Sequence, residues 1–454
     1  MKKMKKLLSI ILAGALCLGL CACGGGAGDS GDKNADGKVE VVWWTSYSQE
    51  NMEYVNTMVN DFNTSQDKYH ATLVNQGSVS EIRTKLAGTK QENLPSLFNG
   101  QPITTGYYAS SSFTAPIQDF LDADEDKWYD EIYDVVRTSY SDLDGNVIGA
   151  PCGVSCAGWF VNVELVEQAG YSMDQITNFE TLAEVATAIK TKGLADYGIV
   201  FGANGVDLFD TLTLQGVDIL DKDNGYDGEA TKCIFGEGET AKALDKTLKI
   251  YGELYKKDVA LTYGSDTNGE KVPQFAAGNL GFFYATNSYA QRIILRNPNF
   301  EFTFIPSVPT DANGTYVGQA MSEGTGNYIC NTGNEEEMQG AYELIKFICK
   351  AENQSYFAQN TGYVPYTEAG YNQEDYQAWM TANFPAAANV KEMLLTSAKD
   401  LRGPYTSIPN ALLSACGSLY SDIALDPTGN YSDFIQSAIE QIDEAIEIQA
   451  LRKQ

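Results

Sequence analysis

Histidine is nearly missing from this chain, which carries His70 alone in 454 residues. Ser-His-Asp or Cys-His catalysis would have to use that one imidazole, yet no GxSxG, HExxH or phosphate-cradling GxxxxGKS/T motif is present. His70 reads instead as a core or surface residue of a strand. Positive charge is scarce too: 31 Lys+Arg stand against 60 Asp+Glu, a formal charge of -29. Such a surface repels phosphate backbones and anionic headgroups, so nucleic-acid binding is disfavoured as a class. Of nine cysteines, three lie within the first 23 residues; the other six (152, 156, 233, 330, 349 and 416) are too irregularly spaced for a disulfide framework or a zinc knuckle. Cys152 and Cys156 are close enough to bridge, but several of the six sit in apolar runs, where a thiol serves as a small hydrophobe. Beyond residue 20 no stretch has the length and apolarity of a membrane span.

What is present begins with compartment. Met1 to Lys6 carries four lysines, Leu7 to Leu20 is almost unbroken apolar sequence, and Leu20-Cys21-Ala22-Cys23 follows. The order basic, apolar, small is that of a secretory signal peptide, and the apolar run is shorter than the roughly 20 residues a retained membrane helix would need. Leu-x-Ala-Cys resembles the bacterial lipobox, which implies that residues 1–22 are removed and Cys23 is lipidated. Leu20 and Leu16 stand where a small residue is wanted before Cys21 and Cys17. Two acyl chains at about 0.8 kcal/mol per buried methylene give a stable membrane anchor. Residues 23–38, rich in Gly, Asp and Ser, read as a flexible tether that holds the body off the surface.

The body is long enough for two to four domains at about 100–200 residues each, and its 43% apolar and 20% charged content predicts folding. Strands are expected at Val39–Thr45, Tyr69–Val74, Leu94–Phe98, Val147–Pro151, Trp159–Asn162, Gly198–Gly202 and Gly281–Tyr284. Helical spacing is read after Met52, over Ser80–Ala87, Glu180–Lys192 and Ala241–Tyr255, from the Asn334 cap to Cys349, and over Ser432–Arg452. Alternation of this kind predicts parallel strands with right-handed crossovers. Asp223-Asn-Gly-Tyr-Asp-Gly228 reads as a loop or hairpin; a calcium loop is the sharper alternative, but Ile234 stands where the closing Glu belongs.

The segments VEVVWWTSYSQENMEYVNTMVNDFN, VIGAPCGVSCAGWFVN, NGYDG, QFAAGNLGFFYATNSYA and AYELIKFICKAENQSYFAQNTGYVPYTEAGY follow one another as in the family 1 extracellular solute-binding proteins of bacterial ABC importers, which the chain resembles over nearly its whole mature length. The group includes maltose-binding and glycerol-3-phosphate-binding proteins. The resemblance implies an α/β, periplasmic-binding-protein-like (type II) fold: two α/β lobes around a ligand cleft, joined by a multi-segment hinge. Crossings are expected near Pro151–Ser155, Phe302–Phe304 and Ile345–Lys350. Residues 39–151 with 303–346 would form lobe 1, and 154–302 with 350–454 lobe 2.

Sugars and polyols present hydroxyl edges and apolar C–H faces, so a site for them needs directional hydrogen bonds and flat aromatic platforms. With 27 Tyr, 19 Phe and 5 Trp the chain has ample supply, although most aromatics serve cores. Position at the carboxyl ends of strands singles out Trp44, Tyr47 and Gln101, with Trp43 assigned to the core on the opposite strand face. The resemblance adds Ser155, Thr286, Asn287, Gly324, Tyr363 in TGYVP and Arg402 in DLRG, the last matching a phosphate-binding Arg whose alternative role is an ordinary salt bridge. Gln101 replaces a Glu of the glycerol-3-phosphate binders, and Val79 or a neighbour in GSVSE replaces a Tyr. A neutral sugar or oligosaccharide is therefore the expected ligand, with glycerol-3-phosphate or another anionic polyol as the alternative. Lobe closure around it would present a loaded form to permease subunits. A monomer without cofactor, metal or catalytic residue is expected. A secreted glycosidase with two suitably spaced carboxylates is the rival enzyme reading, and a surface adhesin the rival structural one.

Overall fold

The computed structural model describes residues 33–34, 36–202, 205–262, 268–307, 321–396 and 403–452. Among the described residues ten strands fall into two sheets. The first contains β1 (Val39–Thr45), β2 (Tyr69–Asn75), β3 (Leu97–Gly100), β4 (Thr114–Ala115), β5 (Gly149–Ser155) and β10 (Glu323–Cys330); the second contains β6 (Ala157–Asn162), β7 (Tyr197–Val200), β8 (Leu280–Thr286) and β9 (Phe302–Pro306).

Alternation in β1 is strict, with Val39, Val41, Trp43 and Thr45 buried and the residues between them half-buried. Helix Gln49–Ser65 begins at Ser48, whose side chain accepts from the Asn51 amide, and it buries Val55, Met58, Val59 and Phe62. The third strand starts later than the sequence predicts, because Pro95 has no N–H to give a ladder. His70 lies opposite Glu40 in the parallel register, its Nδ1 3.2 Å from a carboxylate oxygen.

The expectation of parallel strands holds for β1 with β2, β1 with β3 and β7 with β8. Strands that return from the other sheet run the opposite way: β10 is antiparallel to β3, β4 and β5, and β6 is antiparallel to both β8 and β9. Crossovers set the direction of neighbouring strands only within one lobe.

β5 passes straight into β6 through Cys156, so one extended run serves both sheets. The second passage differs from the expectation at Phe302–Phe304. Strand β9 pairs with β6 along its whole length, from Asn162 opposite Phe302 to Gly158 opposite Pro306, and so belongs to the second sheet. The chain leaves that sheet only after Pro306. Helix Glu335–Ile348, capped by Asn334, packs on β1 and β10, and Ala351–Thr361 follows against β5. The second sheet is buried on both faces: Phe160, Phe283 and Phe304 join one core, while Trp159, Phe282 and Tyr284 join the other with helices Phe179–Thr191, Gly238–Lys256 and Pro409–Leu425. This accounts for the continuous apolar reading of AGWFVN and LGFFYA.

Candidate functional site

Five of the residues singled out in the sequence converge on the passage at 152–156. Tyr47 donates its hydroxyl to Cys152 Sγ at 3.0 Å. Burial, followed by the nearby Cys152, pushes its phenol well above the ordinary range, so it stays a neutral donor. Ser155 is buried opposite Glu323. Gly324, at φ +117°, has Gly153 O only 2.1 Å from where a Cβ would sit, and a Cβ on Gly153 would strike the Tyr363 ring at 2.9 Å. Asn287 is fully buried; its Oδ1 accepts from the Cys156 amide at 2.8 Å and its Nδ2 donates to Gly362 O at 2.7 Å. Tyr363 stacks on Phe357 with centroids 5.5 Å apart.

The other three stand at strand ends. Trp44, opposite in face to the buried Trp43, is half-buried against the first core. The Gln101 carbonyl accepts from Thr104 N and Oγ1 at 3.0 and 2.8 Å, which starts the turn after β3. Thr286 Oγ1 lies 2.6 Å from Ser288 Oγ. None of these eight side chains lines the main cleft. The rule that ligands sit at the carboxyl ends of strands applies to open parallel sheets. Here the antiparallel returning strands β5 and β10 stand beside that edge. Arg402 and Cys23 lie outside the described residues.

The main cleft encloses about 1130 Å³ between residues 102–147 of the first half and Phe209, Asp223, Tyr226, Asp227 and 403–405 of the second, with Met321–Glu323 at the passage. Two tyrosines unmarked by the sequence reading form platforms on the second half. Tyr226, inside NGYDG, donates to Gly403 O at 3.1 Å, and its ring lies 5.7 Å from that of Tyr405. Tyr405 faces the first half directly, since a Cβ on Gly106 would touch its ring at 3.0 Å. Burial, then Asp142 and Asp144, raise its phenol above the usual value and keep it neutral. The signal for both was a Tyr beside Gly or Pro turn residues. Asn224, in a left-handed conformation, fixes that turn by accepting from the Ile219 and Leu220 amides at 3.1 Å.

The lining is acidic, with Asp122, Asp126, Asp142, Asp223, Asp227 and Glu323 among its eight carboxylates, against Lys127 and Arg137. Arg137 is already held by Asp130 and Asp134. Behind Glu323 lies Asp210 of helix Gly205–Leu214, 1% exposed and hydrogen-bonded to the Glu323 side chain. Burial first, then Glu323 and Asp207, push the Asp210 carboxyl well up, and burial raises Glu323 as well. The two acids hold a proton between them at pH values where an exposed carboxylate has lost its own. No group of three or more His, Cys, Asp or Glu among the described residues is arranged to hold a metal ion, and no described helix is long and apolar enough to cross a membrane.

A family model described as bacterial extracellular solute-binding protein matches residues 57–385, more than two thirds of the chain. The chain belongs to the bacterial extracellular solute-binding proteins. The sn-glycerol-3-phosphate-binding periplasmic protein UgpB of Escherichia coli K12 is 24% identical over 390 residues, covering 84% of each chain. Among solved structures, the sugar-binding protein MalE of Xanthomonas citri superposes with a TM-score of 0.72 at 18% identity, over 91% of this chain and 98% of that one. UgpB of Mycobacterium tuberculosis, solved with glycerophosphocholine, gives 0.71 at 16% identity over 91% and 100%. This solute-binding protein therefore has the type II periplasmic-binding-protein fold, and its relatives are binding proteins.

Proposed function

We propose that this chain is the receptor of an ABC importer, anchored outside the cell membrane by lipid on Cys23, which captures a sugar or oligosaccharide and passes it unchanged to permease subunits. One observation carries the ligand class: a cleft shared by both halves sets Tyr226 and Tyr405 among carboxylates, offering flat apolar faces beside strong hydrogen-bond acceptors. That is the pairing a saccharide presents in reverse. Its volume exceeds the upper range of about 1,000 Å³ for ordinary small-molecule pockets, which favours an oligosaccharide over a single ring. Because both halves contribute wall, only the closed form makes the full set of contacts.

The likeness to proteins named for sn-glycerol-3-phosphate supports a second reading, capture of an anionic polyol, with Arg402 as the cation that the resemblance assigns. Thermal melts against a panel of neutral oligosaccharides and glycerol phosphates separate the two. A ligand at a hundredfold excess over its Kd stabilises by about 2.7 kcal/mol and is recovered intact. Hydrolysed product in the supernatant would instead make the protein a glycosidase, and silence across the panel would favour an adhesin.

A further inference from the structure

A pair of acids joins the two cores of the molecule beside the cleft. Asp210 belongs to helix Gly205–Leu214, whose Leu208, Phe209 and Leu212 lie in the second core. Glu323 opens β10, whose Tyr328, Ile329 and Cys330 lie in the first, and it stands opposite Ser155 in the β5–β10 ladder. The two side chains are hydrogen-bonded to each other. Ionised carboxylates are acceptors only, so a bond between two of them requires a proton on one. Shared in this way, the proton leaves one negative charge at the contact instead of two that repel.

The neighbours on every side leave that proton as the group that decides. Asp207, one turn earlier on the same helix, adds a further carboxylate, and the Ala157 amide donates to Glu323. Cys156 at the β5–β6 junction and Tyr284 of β8 also face the pair; burial first, then the nearby acids, push thiol and phenol well above their ordinary values and keep both neutral. Tyr251 and Tyr255 of helix Gly238–Lys256 and Tyr420 of helix Pro409–Leu425 lie near Asp207, and burial holds these phenols neutral as well. Lys271 of helix Asn268–Ala276, fully buried, stands on the Asp207 side: its Nζ donates to Gly202 O, and a Cβ on Gly202 would run into the Asp207 carboxylate. Toward solvent, Glu323 is part of the cleft wall of eight carboxylates with Lys127 and Arg137.

We propose that Asp210 and Glu323 form a proton-linked clasp between the halves, joined while they share a proton and forced apart when the second carboxyl ionises. Separation relieves the repulsion and lets water from the cleft reach Glu323, whose backbone stays fixed in the ladder. The joined form therefore binds a proton that the separated form releases. Its advantage is fully present at low pH and is lost as pH rises through the value of the joined pair. By the same linkage, a solute that draws the halves together takes up a proton. The clasp needs only two halves that move, so it holds whatever the solute is.

Small-angle scattering of the solute-free full chain, from about pH 5 to about pH 9 at constant ionic strength, tests this. The wild type should expand in one step, with the ratio of separated to joined molecules rising by up to about tenfold per pH unit, the limit for one released proton. Asp210→Asn puts an amide donor in place of the titrating proton and should stay compact over the whole range. Glu323→Gln does the same from the other side and should also abolish the step. Melting temperatures at about pH 5 close to that of the wild type show that both variants fold. A wild-type profile that does not change with pH overturns the clasp, and so does an expansion step that survives either substitution.

Discussion

Two polar regions lie between the halves of this molecule, and they differ in how their groups are used. At the passage, Asn99 donates to Thr325, Gly326 and Asn327 at 3.0–3.2 Å, and Asn287 ties the Cys156 amide to Gly362 O. Across the facing surfaces the pairs are of ionisable side chains: Glu323 is hydrogen-bonded to Asp210, and the Tyr108 hydroxyl to Arg83 and Thr104. Buried polar groups are nearly always paired, and the two regions differ in whether the paired groups can ionise. The passage fixes geometry with neutral amides; the facing surfaces rely on carboxyl groups whose pairing depends on pH.

The passage is the region expected to tolerate disturbance least. Gly324→Val places a side chain on a residue at φ +117° and against Gly153 O, which an added Cβ alone would meet at 2.1 Å. The β5–β10 ladder cannot accommodate it without a backbone shift, and a loss of about 4 kcal/mol or more is expected in urea denaturation. A variant within 1 kcal/mol of wild type would mean that the passage is not the rigid region.

Asn287→Ala comes next. It leaves the Cys156 amide and the Gly362 carbonyl unpaired in the interior, at about 1–3 kcal/mol for each group left unsatisfied, so a loss of about 2–6 kcal/mol is expected. Since Asn287 touches both β5–β6 and the turn after helix Ala351–Thr361, its removal should also raise the affinity-independent rate of opening, read by hydrogen exchange at Cys156.

The passage was the legible region in the sequence, and the facing surfaces were not. VIGAPCGVSCAGWFVN and TGYVP keep their order because a chain that crosses between lobes needs glycine at 153 and 324 and small polar residues beside them, and these leave a local imprint. Arg83 and Asn410, by contrast, are 327 residues apart, and nothing within GSVSEIRTKL shows what its arginine meets. Tyr226 and Tyr405 look like any turn tyrosine until the fold brings them together. Trp44 shows the reverse limit: period-two alternation placed it opposite Trp43, as found, but alternation gives a face of the strand and not what covers that face. The resemblance alone put a crossing near Phe302–Phe304, whereas pairing with β6 makes that segment the edge strand of the second sheet.

Asp210→Asn should shift stability in the opposite direction. The folded-state carboxyl is raised above its unfolded value by burial, then by Glu323 and Asp207, so the folded form holds the proton more tightly. Its contribution is fully present below the unfolded carboxylate range and is lost as pH rises through the folded value. The amide keeps the shape, removes the ionisation and can donate to Glu323. It should stabilise the apo protein by about 1–2 kcal/mol at pH 7 and by almost nothing near pH 4. Equal shifts at the two pH values would show that packing, not charge, sets the effect. A passage residue such as Asn287 should show no such pH dependence.

The smallest effect is expected at the outer edge of the same boundary, where Arg292 Nε meets Glu50 Oε2 at 3.3 Å and Nη2 donates to Ser48 Oγ at 3.1 Å. Here solvent decides the magnitude. The Glu50 side chain is 66% exposed and that of Arg292 28%, so water screens the pair, and ordering two long side chains offsets most of the attraction. The guanidinium also lies over the Tyr289 ring, 4.9 Å from its centroid, a contact that a methionine stem partly retains. Arg292→Met should therefore cost about 0.5 kcal/mol at low ionic strength and nothing measurable in 0.5 M salt. A loss above about 2 kcal/mol that persists in salt would place Arg292 with the unscreened groups of the interior. The boundary would then have a third, structural contact at this exposed edge beside the fixed passage and the titrating facing surfaces.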